Sequence, residues 1–164
     1  MSHFTPSGDA QMVDVSTKAI TVRQAVATAE IVMNSATAGV IRHQSAAKGD
    51  VLGVARLAGI QATKLTAQLI PLCHSIPIES VTIDFQWVVE GPEQRPEGEK
   101  QTLLCVATVR TSAKTGVEME AMTAASIAAL TVYDMVKSID KAISIGPIVL
   151  QHKSGGKSGD FHRN

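Results

Sequence analysis

One alanine-rich segment constrains the fold more than any other part of the chain. Residues 115–140, TGVEMEAMTAASIAALTVYDMVKSID, have the composition of a long helix, in which one set recurs at helical spacing: Met122, Ser126, Ala129, Tyr133 and Lys137. The middle of this segment is apolar on nearly all sides, and such a helix is covered on more than one side. Its strongly apolar part, roughly residues 121–133, falls short of the ~20 residues that span a bilayer. We therefore expect a helix that packs against a sheet, and against a neighbouring subunit where one is present.

Two segments of alternating polarity predict a β-hairpin. In residues 80–90, SVTIDFQWVVE, the apolar side chains share one face: Val81, Ile83, Phe85, Trp87 and Val89. In residues 101–111, QTLLCVATVRT, the corresponding face carries Leu103, Cys105, Ala107 and Val109. The polar residues 91–100 between them predict a solvated turn.

The first half of the chain predicts one strand and two helices. Residues 21–33 fit a strand or a helix, and the alternation of Ala25, Ala27, Ala29, Ile31 and Met33 favours the strand. A short helix follows, with Asn34 or Ser35 as its cap. Asp50 is predicted to cap a longer helix. We expect the buried side of that helix to consist of Val54, Leu57, Leu65 and Leu69.

A last strand at residues 142–150 completes the order strand, helix, helix, strand, strand, helix, strand. With the first two helices counted as one, this order predicts an α+β fold, a ferredoxin-like split β-α-β sandwich whose antiparallel sheet carries helices on one face. We expect a flexible N-terminus over residues 1–11, a single catalytic domain over 12–152, and a mobile Gly/Lys tail over 153–164.

The charge balance excludes some classes of partner. The 164 residues include 15 basic and 15 acidic side chains, and this zero net charge argues against a nucleic-acid-binding surface. The two cysteines, Cys73 and Cys105, form no paired motif, so we expect free thiols in an intracellular protein. The N-terminus has no signal-peptide pattern, and we expect a cytoplasmic protein without membrane contact. The five histidines show no metal-ligand spacing, so no metal site is expected.

Asp134 and Lys137 are the strongest candidates for chemistry. They are three residues apart on the predicted helix, so their side chains lie on one face within reach of each other. The pair is either a surface ion pair of little energetic value or a proton-transfer couple. Because the pair lies at the boundary of a buried helix, a proton-transfer couple is as well supported as a surface ion pair.

For the other candidates, the residues alone favour a structural explanation at least as much as a functional one. Glu118 and Glu120 lie near a helix start, where the helix dipole favours carboxylates. His74, next to Cys73, fits a structural histidine, while Lys48 precedes a helix N-terminus that suits an anion. The tail KSGGKSG contains Gly-Lys-Ser, but it lacks the first glycine of a P-loop and the helix that must follow. The tail is therefore either disordered or a loop, with Lys157 in it, that closes over a phosphate.

Three long motifs together resemble the family of cyclic pyranopterin monophosphate synthases, the molybdenum cofactor biosynthesis protein C. The motifs are KGDV with ARLAGIQATKLTAQLIPLCH, KTGVEMEAMTAAS with AALTVYDMVK, and IGP with KSGGKSGDF, and the resemblance covers about residues 12–161. It implies a lyase that converts 3′,8-cyclo-7,8-dihydro-GTP, supplied by an upstream radical enzyme, to cyclic pyranopterin monophosphate and pyrophosphate. It also implies a ferredoxin-like fold and a homohexamer, a trimer of dimers with active sites between subunits. No redox cofactor is expected, and Mg²⁺ bound with the triphosphate is left open.

The resemblance also assigns roles to residues. Asp134 and Lys137 match a catalytic aspartate and lysine, and Lys48 matches a basic residue that meets the triphosphate or the reacting ring. Substrate contacts are implied for Leu72, Cys73, His74, Glu118, Met119, Glu120, Lys153 and Arg23. The alternative is a non-catalytic, nucleotide-sensing ferredoxin-like module, since a fold does not determine a function. That alternative leaves the Asp134–Lys137 pair unexplained.

Overall fold

The computed structural model of the protein describes residues 3–88 and 100–164. Its elements are β1 (Thr21–Asn34), α1 (Ser35–Arg42), α2 (Val51–Leu69), β2 (Ser80–Val88), β3 (Lys100–Ala113), α3 (Glu118–Val136), β4 (Ser144–Ser154) and β5 (Phe161–His162). The strands form one antiparallel sheet in the order β2-β3-β1-β4-β5, in which β1 is central. The predicted α+β ferredoxin-like fold is confirmed. No helix of the described residues is long and apolar enough to cross a membrane.

Alternation along the strands places the core as predicted. On β1 the face that carries Ala25, Ala27, Ala29, Ile31 and Met33 is buried, which confirms the strand at residues 21–33. On β3 the buried face carries Leu103, Cys105, Ala107 and Val109. β2 pairs with β3 as the expected hairpin. Val89 and residues 91–99 of the predicted turn lie outside the described residues, whereas Lys100, the last residue of that prediction, begins β3.

Two helix caps agree with the sequence. The side chain of Asn34 accepts a hydrogen bond from the backbone N–H of Thr37 at the start of α1, so Asn34 is the cap there. Asp50 Oδ1 accepts from the backbone N–H of Gly53 at 2.9 Å at the start of α2. Each cap satisfies an amide that has no partner within its helix.

The predicted buried side of α2 is wrong. Leu57 is 69% exposed, Leu69 55% and Val54 41%, whereas the buried residues of this helix are Val51, Ala55, Gly59, Ala62, Thr63 and Thr66. Small residues face α3 because the two helices approach closely. A Cβ added at Gly59 would lie 3.2 Å from the carbonyl oxygen of Ala124. Val54, Leu57 and Leu69 therefore face away from the core, and Leu65 is half-buried.

β4 extends further than the sequence indicated. It continues through Ser154, so Lys153 lies in a strand and pairs with Phe161 of β5. Near the other end of the chain, Phe4 and Ala10 form an isolated antiparallel bridge. The mobility expected of the two termini stays a prediction.

Candidate active site

Two predicted contact segments line one cleft. After α2 the chain makes a turn in which the N–H of Cys73 donates to the carbonyl of Ile70, and residues 72–74 come to lie beside the first turn of α3. The cleft has a volume of ≈ 420 Å³, and six of the predicted residues line it: Leu72, Cys73, His74, Glu118, Met119 and Glu120. The fold thus brings together two segments that are more than forty positions apart in the sequence.

The N-terminal segment forms another wall of this cleft. His3, Val13, Val15 and Lys18 line it, and Lys114 holds the segment through a 2.6 Å hydrogen bond from its Nζ to the carbonyl of Ser16. Sequence reasoning missed these residues because no motif marks them. Lys18 is a cation in a cleft that otherwise carries two carboxylates, and only the fold shows that proximity.

A backbone carbonyl of the N-terminal segment determines which ring nitrogen of His74 carries the proton. Its Nε2 lies 2.8 Å from the carbonyl oxygen of Val13, and a carbonyl can only accept a hydrogen bond. Nε2 therefore carries the proton, so in a neutral imidazole Nδ1 is the acceptor. A histidine held in this way can accept a proton through Nδ1.

Glu120 is the buried acid of the cleft. It is 4% exposed, and desolvation raises its pKa to about 6, helped by the nearby charge of Glu118. Burial, together with the charge of Glu120, also raises the pKa of the Cys73 thiol. Near neutral pH the cleft thus holds an acid that can gain or lose a proton and a thiol that stays protonated.

Two cations lie where the tail begins, Lys153 at the end of β4 and Arg23 on β1. Lys153 Nζ lies 3.9 Å from Glu118 Oε1, and Arg23 Nη1 donates to the carbonyl of Gly155 at 3.2 Å. The Nε of Arg23 is buried and has no hydrogen-bond partner among the described residues. Gly156 lies against the guanidinium, since an added Cβ would be only 1.6 Å from Nη1. The glycines of the tail therefore permit a close approach to Arg23.

The remaining predicted residues form a second cluster. Lys48 Nζ donates to Asp134 Oδ2 at 2.9 Å and to its backbone carbonyl at 2.8 Å, while Lys137 Nζ lies 2.6 Å from Asp134 Oδ1. These two ammonium groups, with Lys137 the stronger, lower the pKa of Asp134 to about 2. Asp134 in turn raises the pKa of Lys137. The cluster is thus a carboxylate held ionised between two cations.

The two clusters lie at opposite ends of α3. Glu120 is in its first turn and Asp134 in its last, and fourteen residues at ~1.5 Å per residue place them about 21 Å apart along the axis. The structure therefore brings together Lys48, Asp134 and Lys137, but it separates them from the cleft of the same subunit.

Within residues 3–88 and 100–164, no group of three or more His, Cys, Asp or Glu side chains could hold a metal ion.

Comparison with known proteins gives a consistent result. A model of the MoaC family matches residues 12–156. A cyclic pyranopterin monophosphate synthase of Rhodopirellula baltica is 58% identical, over 99% of this chain and 93% of its own. The protein of the same name from Brevibacillus brevis is 50% identical, over 99% and 96%. Cyclic pyranopterin monophosphate synthase 3 of Mycobacterium tuberculosis is 48% identical, over 100% and 87%.

Proposed function

The chain belongs to the MoaC family, and on that premise we propose that it converts 3′,8-cyclo-7,8-dihydro-GTP to cyclic pyranopterin monophosphate in molybdenum cofactor biosynthesis. Pyrophosphate is the second product, and the enzyme is a lyase. The observation that carries the proposal is the cleft, in which the two contact segments implied by the family resemblance meet beside Lys153.

In this proposal the cleft binds the substrate by charge and shape. Arg23 and Lys153 meet the phosphates, since a guanidinium and an ammonium are the usual partners of phosphate oxygens. The unpartnered Nε of Arg23 supports this role, because a buried N–H without an acceptor is costly until a ligand supplies one. Lys157, further along the tail, is exposed and free to follow Lys153 toward the ligand.

The proton transfers are assigned to groups whose pKa values suit them. Glu120, with a pKa of about 6, is suited to act as a general base near neutral pH in the cleft that it shares with His74. Lys137 stays protonated beside Asp134 and is suited to donate a proton or to stabilise negative charge. Lys48 shares the carboxylate of Asp134 and adds a second positive charge. None of these steps requires a redox cofactor, and Mg²⁺ enters only with the triphosphate.

We assign the complete active site to two subunits of a homohexamer, a trimer of dimers. The support is the distance of about 21 Å along α3 between Glu120 and Asp134, which a single small substrate does not bridge. Exposed aliphatic side chains on the outer helix surfaces, Leu57 at 69% and Leu130 at 55%, supply apolar area for subunit contacts.

A cytoplasmic location is also part of the proposal, because both cysteines are free thiols.

The test is direct conversion. Purified protein is mixed with enzymatically prepared 3′,8-cyclo-7,8-dihydro-GTP, and the products are followed by mass spectrometry together with a pyrophosphate assay. We expect cyclic pyranopterin monophosphate and pyrophosphate in equal amounts. Tight binding without conversion would contradict the proposal and would favour a nucleotide-sensing module.

A further inference from the structure

Asp140 is a buried carboxylate that the proposed reaction does not use. It lies just beyond α3, where its own N–H donates to the carbonyl of Val136, and it is 7% exposed. Its Oδ2 accepts from the backbone N–H of Asn34 at 3.2 Å and from the Asn34 side-chain amide at 2.8 Å. The Thr37 hydroxyl donates to the same oxygen at 3.4 Å, and the N–H of Ala142 donates to Oδ1 at 2.9 Å. These four donors are neutral, and three of them come from residues more than 100 positions away.

These contacts join the end of α3 to the start of α1. Asn34 uses both ends of its amide, because its oxygen caps α1 through the N–H of Thr37 while its nitrogen donates to Asp140. Thr37 is 1% exposed and Asp140 7%, so both are shielded from water, while Asn34 between them is half-buried. Hydrogen bonds to a buried carboxylate keep a fixed geometry. If one of them breaks, a buried donor is left without an acceptor, and this costs free energy.

The segment that begins with α1 also carries Lys48. From Arg42 the chain continues through buried Ala46 to Lys48, which reaches back to Asp134, six residues before Asp140. Two ties therefore join the same pair of segments. The Lys48–Asp134 tie is about half exposed and holds its geometry poorly by itself, whereas the Asp140 tie is buried.

We propose that Asp140 is a positioning residue that sets the relation of Lys48 to Asp134 and Lys137 by fixing α1 to the end of α3. It touches neither the substrate cleft nor the three side chains that it positions. Its effect on turnover rests on the proposed function, while its effect on the environment of Lys48 does not.

The experiment uses the full-length Asp140→Asn and Thr37→Val variants. We expect Asp140→Asn to lower kcat about tenfold or more, because a small displacement of a reacting group has an effect of that size, while KM stays near the parent value. Thr37→Val removes one donor and should give a smaller loss in the same direction. A second readout is the rate at which acetic anhydride modifies Lys48, measured by mass spectrometry relative to the exposed Lys64 of α2. Loss of the buried tie should raise that ratio several-fold.

The control is Asp84→Asn, which makes the same change on β2 and should alter neither readout. A folded Asp140→Asn protein with parental kcat and parental Lys48 labelling would overturn the inference. So would an equal rise in labelling at both lysines, or a rise in KM with kcat unchanged. If Asp140→Asn does not fold, unchanged kcat and labelling in Thr37→Val overturn it. Absence of conversion by the parent protein would contradict the proposed function alone, because the labelling ratio needs no substrate.

Discussion

Lys48 and Asp134 are joined by a 2.9 Å ion pair although 86 positions separate them in the chain. The ammonium of Lys48 also donates a 2.8 Å hydrogen bond to the backbone carbonyl of Asp134. Lys137 holds the other carboxylate oxygen. One carboxylate is thus shared by two lysines, one from the segment before α2 and one from the end of α3. Both lysines are about half exposed, so the arrangement contributes little to stability and is available to a ligand.

Asp134→Asn should remove activity while the fold persists. The amide cannot keep both lysines paired, and loss of a group in acid–base chemistry lowers kcat by about 10²–10⁴-fold. The parent carboxyl has a pKa of about 2, so its contribution to stability is present above the unfolded value of 3.8 and is lost as the pH falls toward 2. Because the two ion pairs are about half exposed, that contribution is small, and the melting temperature at neutral pH should change little. Kinetics and thermal unfolding test both statements, with Asp84→Asn on β2 as the matched control, and parental kcat would contradict the assignment.

Glu120→Gln should change the pH dependence of stability. Because the folded pKa is raised from 4.5 to about 6, the stability that Glu120 contributes is complete below pH 4.5 and is lost as the pH rises through 6. Relative to the Gln variant, the parent should lose about 2 kcal/mol of unfolding free energy over this window, at ~1.4 kcal/mol per pKa unit. Urea unfolding at a series of pH values measures the difference.

The matched control for that experiment is Glu30→Gln, on the sheet face away from the helices. A difference between the parent and Glu120→Gln that is constant from pH 4.5 to 8 would show that the buried carboxyl keeps its ordinary pKa. Glu120 would then be a poor base near neutral pH.

The sequence predicts features that depend on solvent exposure or on hydrogen bonds between neighbouring residues. The strand faces were predictable because alternation on β1 and β3 follows which side meets solvent, and Asn34 was a recognisable cap because its side chain satisfies a nearby amide. The inward face of α2 was not predictable from hydrophobicity. The residues of α2 that face α3 are small, as at Gly59, because the two helices approach closely, and the large Leu57 points outward.

In the candidate site, too, some residues were predictable from the sequence and others were not. The motifs predicted the contact segments, and the fold then placed Leu72 to His74 beside the first turn of α3. The wall formed by the N-terminal segment was missed because its contact to His74 is made by a backbone carbonyl, which any residue at position 13 would supply. The Asp140 junction was missed because Asn34 and Thr37, its partners across the fold, are more than 100 positions away. Pairings at such separations depend on the tertiary structure.

Gly156→Ala should weaken substrate binding more than Gly159→Ala does. Both glycines have positive φ, +83° and +70°, so both substitutions strain the backbone. Only at position 156 would the added Cβ meet Arg23, whereas at position 159 nothing lies within 4 Å. The difference between the two variants therefore isolates the displacement of the guanidinium. We expect KM to rise in Gly156→Ala alone, and equal KM values would remove Arg23 from the binding site.

Lys153→Ala should lower turnover without lowering the melting temperature. Its pairing with Glu118 at 3.9 Å is long and weak, and its 2.5 Å hydrogen bond to Ser158 Oγ joins it only to the exposed tail, so its loss costs little stability. Loss of a cation that meets a phosphate should instead appear as weaker binding and slower conversion. Lys141→Ala removes an exposed lysine outside both clusters and is the control. Unchanged turnover in Lys153→Ala would leave the tail without a catalytic role.

Mixing two inactive variants should restore activity if the site is shared between subunits. Asp134→Asn removes one cluster and Glu120→Gln affects the other, about 21 Å away along the same helix. A mixed oligomer would contain some interfaces at which one subunit supplies an intact cleft and its neighbour an intact Lys48–Asp134–Lys137 cluster. The two variants are unfolded together, refolded as a mixture and assayed, with each variant refolded alone as the control. Recovery of activity in the mixture only is the expected result. A mixture that contains mixed oligomers, shown by native mass spectrometry, but has no more activity than its components would confine each active site to one chain, and the assignment of Asp134 to the same reaction as Glu120 would then fail.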